Sequence, residues 1–263
     1  MTDDNRTVIP IQVRVLSDHA LVRQARREPP SWADEPLEDW RQLIGQHRLR
    51  FTVRKYRHEA AAINLFGVVG SQHPKHQGRS WLDLLLGAPR MGANLREYER
   101  HPDYYRASTA CQKIPPLYYQ TLDGLRFYIG QNGNHRTCIA RFDAHFNRYS
   151  LIHGVYLTHY QVDDEFHRRF LALCQVAEER RLDFTFVPVR YPTHHEVAYG
   201  WSLDRYRPAL RTRRAGDDSV YLLDRARAGR LLACLRSHRH RRFWRFWPDR
   251  YCGLEERGEE DSA

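Results

Sequence analysis

The stretch Asp123-Gly-Leu-Arg-Phe-Tyr-Ile-Gly-Gln-Asn-Gly-Asn-His-Arg-Thr-Cys-Ile-Ala-Arg-Phe142 decides how this chain is read. Leu125, Phe127 and Ile129 recur at every second position, the period of a strand. A glycine-rich turn follows, and then Ile139, Phe142 and Phe146 recur at helical spacing, so the turn opens a helix. Backbone N–H groups at a helix start attract anions, and a first-turn arginine adds a planar, two-pronged phosphate ligand. Strand, Gly turn and helix with Arg136 in the first turn therefore form a candidate phosphate cradle. The competing reading is structural: glycine supplies an unusual φ, and Arg136 binds something local. The four residues Gly133-Asn-His-Arg136 do not separate the two, because short motifs recur by chance.

The flanks add context. Ile114-Pro-Pro-Leu-Tyr-Tyr119 reads as a strand and turns at Asp123-Gly124 into the strand above. His153-Gly-Val-Tyr-Leu-Thr-His-Tyr160 reads as a third strand. Residues Asp164 to Leu182 then carry Phe166, Phe170, Leu173, Cys174 and Ala177 on one stripe, an amphipathic helix. Asp163, Asp164 and Glu165 at its start suit the helix dipole.

This order resembles the ParB/sulfiredoxin superfamily, with its hairpin, G-x-H-R turn, helix, strand and acidic-capped helix. The likeness covers roughly residues 112–182, with Val8-Ile-Pro-Ile-Gln-Val-Arg14 as a candidate first strand. It implies an α/β (α+β) fold with a small mixed sheet and packed helices. It also implies a nucleotide, ATP or another, held with Mg²⁺. Gly130, Asn132, Gly133, Asn134, His135, Arg136 and Thr137 would line the phosphates, and His135 and Arg136 would be catalytic. Two departures narrow the expectation. Sulfiredoxins carry a reactive cysteine where this chain has Asn134, so reductase activity is not expected. Partition ParB proteins carry E-N-x-x-R on the later helix, and Phe170 to Arg180 lacks it, which argues against a CTP-gated clamp. What remains resembles the Osa-like fertility-inhibition branch of plasmids. That branch implies ATP hydrolysis, metal-dependent DNA cleavage and opposition to conjugation, with the conjugation machinery as a protein partner. A non-enzymatic DNA-binding or regulatory protein of the same fold is the alternative, and a small-molecule kinase is a third.

Composition agrees with a polyanionic partner. The chain has 263 residues, 41% hydrophobic and 12% aromatic, which suits a globular protein with a full core. Its formal net charge is +10, and Lys55, Lys75 and Lys113 are its only lysines, so the excess is arginine. No apolar run approaches the roughly 20 residues of a membrane span. Nor does the N-terminus carry a signal-peptide core, so a cytoplasmic location and no membrane partner are expected. Five scattered cysteines argue against a disulfide framework, and Cys138 and Cys174 fit helix cores.

Elsewhere, residues 17–48 are polar and proline-bearing, with a loop marked at Arg27 to Trp32, and Leu49 to Arg54 reads as a strand. The Ala-rich run from His58 to Val69 reads as a helix, with loop from Gly70 to Gly78. Ser80 caps a short helix, and a second helical stretch from Asn94 breaks at Pro102. Asp183 to Arg190 reads as a strand and 192–200 as a loop. Residues 201–252 hold 14 arginines against five acids, and Ser219 to Leu223 is a strand leading to a helix. The expected organisation is 1–111 completing or decorating the core, 112–192 the core, 193–252 a basic extension and 253–263 an acidic disordered tail.

Arg239, Arg241, Arg242 and Arg245 are candidate DNA contacts, with Phe243, Trp244 and Trp247 docked as core. Asp163, Asp164 and Glu165 are candidate divalent-ion ligands, although an acidic helix cap explains them equally. Cys234, His238, His240 and Cys252 have zinc-ligand chemistry but match no common finger spacing. His73 and His76, flanking Pro74-Lys75, read as solvent-facing loop residues.

Overall fold

A computed structural model describes residues 19–107, 112–214 and 220–237. It is a mixed α/β protein. Its helices are α1 (Ala20–Arg27), α2 (Trp40–Ile44), α3 (Trp81–Gly87), α4 (Met91–Arg100), α5 (Asp103–Arg106), α6 (Asn134–Phe146), α7 (Asp164–Glu179) and α8 (Arg225–Arg236). Its strands are β1 (Glu38–Asp39), β2 (Thr52–Asn64), β3 (Val68–Ser71), β4 (Tyr118–Thr121), β5 (Phe127–Ile129), β6 (Leu151–Val162), β7 (Phe184–Ala198), β8 (Trp201–Arg214) and β9 (Val220–Leu223). Among the described residues, no helix is long and apolar enough to cross a membrane.

The chain forms two compact units. The first comprises Met1–Gly45, Lys55–Tyr160 and Glu196–Leu203. Its strands run in the order β1-β3-β5-β4-β6-β2. β4 and β5 are antiparallel, while β1 with β3, β3 with β5 and β4 with β6 are parallel. Leu21 and Val22 of α1, Leu84 and Leu85 of α3, Leu95 of α4, and Ile139 and Phe142 of α6 share one core. α6 is buried on nearly every face, from Asn134 through Ala144 apart from His135, so it is a central helix rather than a surface one. Arg141, buried in the middle of it, lies between the rings of Trp32 and Trp81 at 4.4 and 4.5 Å. It also donates to the Val68 carbonyl. Stacking on two indoles replaces water around a cation that burial pushes down to a pKa of about 10.

The second unit comprises Gln46–Arg54, Gln161–His195 and Asp204–Ala263. Phe166, Phe170 and Leu173 of α7 pack with Leu231, Leu232 and Leu235 of α8 and with Phe51 and Leu210. β9 pairs antiparallel with β8, Leu210 opposite Leu223.

Several local expectations change. The Ala-rich run is strand, not helix: β2 extends to Asn64, beside β6. Small alanines fit either state, and backbone pairing overrides weak helix propensity. Residues 48–51 form a 3-10 turn, so β2 starts at Thr52. The polar 17–48 segment, read for its loop at 27–32 alone, also carries α1, capped by His19 Nδ1 accepting from Leu21 N, and α2, capped by Asp39. The 192–200 segment is mostly strand, closing β7 onto β8 through Tyr199-Gly200. β5 is buried at Phe127, Tyr128 and Ile129 alike, whereas Leu125 is exposed, so the alternation seen in the sequence is not a one-faced strand. The Ser80 cap, the break at Pro102, β6, α7 and β9 stand near where periodicity puts them. The candidate first strand at Val8–Arg14 lies outside the described residues.

Candidate functional site

Gly133 makes the turn into α6. Its φ is +119°, a left-handed conformation that side chains rarely adopt, and a Cβ there would lie 2.7 Å from Leu117 Cδ2. No side chain caps the helix. The first intrahelical bond runs from Thr137 N to Gly133 O at 2.7 Å. The amides of Asn134, His135 and Arg136 therefore stand ahead of the ladder, at the positive end of the helix dipole. Gly130 opens the same turn, its N–H donating to Tyr118 O at 2.8 Å, and Gln131 and Asn132 are exposed.

A loop from β3 closes over this helix start. His73 N donates to Ser71 Oγ at 3.0 Å, and Ser71 Oγ donates to Asn134 Oδ1 at 2.7 Å. The His73 and His76 rings are 4.9 Å apart, and His76 meets His135 edge to face at 5.6 Å. His76 is only 7% exposed. Its Nδ1 and Nε2 of His135 are buried without a hydrogen-bond partner. Burial, then the nearby His135, His73, Arg79 and Lys75, push the His76 pKa down to about 4. Burial likewise lowers that of His135; the Pro89 carbonyl offsets part of it, and Arg90, His73 and Arg136 add to it. Both rings are thus neutral near pH 7, in a basic setting.

The other expected phosphate ligands have protein partners. Arg136, 9% exposed, donates through Nη1 to the Pro115 carbonyl and to Tyr104 Oη at 2.6 Å, and through Nη2 to Pro116 O at 2.9 Å. Its fork ties α6 to the segment entering β4. The Thr137 hydroxyl is buried against Tyr119 Oη at 2.7 Å. No family model, curated protein or solved structure matches this chain.

The acidic trio lies in the second unit. Asp163 caps α7, its Oδ1 accepting from Phe166 N at 2.9 Å, and its Oδ2 is 3.5 Å from Arg225. Asp164 accepts from Nε and Nη2 of Arg48, both at 2.9 Å. Glu165 pairs with Arg169 and Arg225. All three carboxylates face arginine, and among the described residues no group of three or more His, Cys, Asp or Glu is arranged to hold a metal ion. Arg239, Arg241, Arg242 and Arg245 lie outside the described residues, as do His238, His240 and Cys252. Cys138 is buried, its Sγ donating to Trp81 O at 3.4 Å, and burial raises its thiol pKa.

Sequence reasoning misplaced His73 and His76. His76 is buried beside His135, far along the chain, and His73 is half-buried. The usable signal was the run of basic groups, His73, Lys75, His76 and Arg79, in a loop whose histidines were expected to face solvent.

Proposed function

We propose that this chain is a ParB/sulfiredoxin-like nucleotide-binding protein that acts on DNA, with the nucleotide phosphates seated at the Gly130–Arg136 turn. The observation that carries the reading is the uncapped start of α6, lying beside buried imidazole nitrogens that lack partners. Phosphate oxygens would accept from the amides of Asn134, His135 and Arg136. Gly133 lets the backbone approach, since no Cβ stands over the turn. Arg136 acts as a positioning residue that holds the turn through Pro115, Pro116 and Tyr104. His135, neutral near pH 7, is placed to hold or move a proton at a phosphate oxygen. Mg²⁺, carried on the phosphates, would supply charge neutralisation during ATP hydrolysis or strand cleavage.

The DNA side of the proposal draws on the net charge of +10. It also draws on β8, where Arg205, Arg207, Arg211 and Arg213 alternate and so share one face of the strand. Arg205 and Arg207 are exposed there.

Titration calorimetry with ATP, CTP, GTP and ADP, with and without Mg²⁺, tests the nucleotide step. His135→Asn should weaken binding about tenfold, about 1.4 kcal/mol, with little change in melting temperature. Absence of binding by every nucleotide would sink the reading.

A further inference from the structure

Buried polar atoms are normally satisfied, and an unsatisfied one is destabilising. Here two such atoms, His76 Nδ1 and His135 Nε2, belong to rings in edge-to-face contact. Their shared position beside an uncapped helix start points to something that completes both.

The chemistry of that something follows from the neighbours. Around His76 the charged and titratable groups are His135, His73, Arg79 and Lys75. Around His135 they are Arg90, His73 and Arg136, with the Pro89 carbonyl alongside. The free backbone groups of the turn are donors. A cation would meet like charge here. An anion with several oxygens could accept from amides and imidazoles together.

We propose that His76 is a second phosphate-contacting residue of this site, and that His76 and His135 together take the terminal phosphate of the bound nucleotide, the His76 ring gaining a proton as the phosphate arrives. The proposal rests on the nucleotide reading above. Its balance is simple: free protein, phosphate dianion and one solvent proton give a complex with one imidazolium. In the free protein the rings are neutral at pH 7, because burial and basic neighbours hold their pKa values down, that of His76 to about 4. A dianion reverses this by stabilising the imidazolium, so its arrival raises the pKa. Affinity then rises as pH falls from about 8 toward 6. Well below pH 4 His76 of the free protein is already charged, and its part of the effect ends.

Calorimetry in Hepes and in Tris, whose ionisation heats differ, counts the protons. For the wild-type protein with ATP at pH 7, we expect net uptake approaching one proton. His76→Asn keeps a polar group but cannot titrate, and it should bind about tenfold more weakly with uptake largely lost. Wild-type affinity and uptake in His76→Asn would overturn the proposal. Should that variant fold poorly, ¹⁵N imidazole spectra of the wild type supply the same answer. ATP should move the His76 ring toward the imidazolium pattern, and an unmoved ring in the saturated protein would overturn the proposal. Pyrophosphate separates the two readings. If no nucleotide binds but pyrophosphate still shifts both rings, the nucleotide reading fails and the imidazole pair stands. If pyrophosphate shifts neither ring, the pair fails.

Discussion

The two ends of α6 treat buried polar groups in opposite ways. Near its C-terminus the fully buried Asp143 carboxylate receives Tyr98 Oη, Tyr149 Oη and Asn147 Nδ2, each at 2.6 Å. Arg106 adds a two-pronged contact at 2.7 and 3.0 Å. At the N-terminus the helix start has no side-chain cap, and two imidazole nitrogens beside it have no partner. One end is complete as a network and has nothing left to offer a ligand. The other is incomplete within the protein, and the proposed function rests on a ligand completing it. Adjacent residues show the same split: Arg136 is tied to three oxygens, while His135 keeps a free nitrogen.

The largest expected effect lies at the complete end. Asp143→Ala should cost about 3 kcal/mol of stability, by stranding two tyrosine hydroxyls and half of an ion pair. The value is discounted because the Arg106 side chain is 42% exposed. Chemical denaturation measures it, and ATP affinity per folded molecule should not change. Burial alone would raise the Asp143 pKa, but hydrogen bonds from Arg106, Tyr149 and Tyr98 hold it below the usual range. A depressed carboxyl stabilises the fold above the unfolded pKa and loses that contribution as pH falls through the folded one. Asp143→Asn should therefore flatten the acid limb of the stability curve below about pH 4. An unchanged acid limb would show that the network does not act as drawn.

Arg136→Met sharpens the contrast between neighbours. Losing the fork that binds Pro115, Pro116 and Tyr104 should cost about 2 kcal/mol of stability. Nucleotide affinity of the folded protein should fall less than in His135→Asn. The reverse pattern, intact melting and abolished binding, would return Arg136 to the phosphates.

The smallest effect is expected on β8. Arg205→Gln with Arg207→Gln should lower duplex affinity a few-fold and shallow the salt slope by about 0.9 per lost contact. Fluorescence anisotropy across a salt series reads both quantities. An unchanged slope, with the wild type binding DNA, would remove this face from the interface.

The strand-turn-helix was legible from the glycine-rich turn ending at Gly133 between two apolar stretches, although β5 and α6 are buried on nearly every face, and α7 follows its apolar stripe. β2 was not legible, since Ala60 to Ala62 favour a helix until a neighbouring strand pairs with them. The outer part of β7 was equally hidden. Pro192 to Tyr199 are all exposed, so no buried face imprints an alternation on the sequence. At the site, sequence singled out the turn and His135 but missed His76, whose burial depends on a contact distant in the chain. It also singled out Arg136 by charge, and only coordinates reveal that protein carbonyls occupy its fork.

The pairing of Arg141 with Trp32 and Trp81 has an optical consequence. These two indoles, with Trp40 and Trp201, fall in the first unit, and Trp244 and Trp247 lie outside the described residues. Indole emission moves to the red when the ring passes from protein interior to water. In a protein carrying phenylalanine at 244 and 247, the red shift on heating would report the first unit alone. Far-ultraviolet dichroism would follow the backbone of both. Coincident transitions would mean that the two units melt together, and separated ones would give each unit a melting temperature of its own.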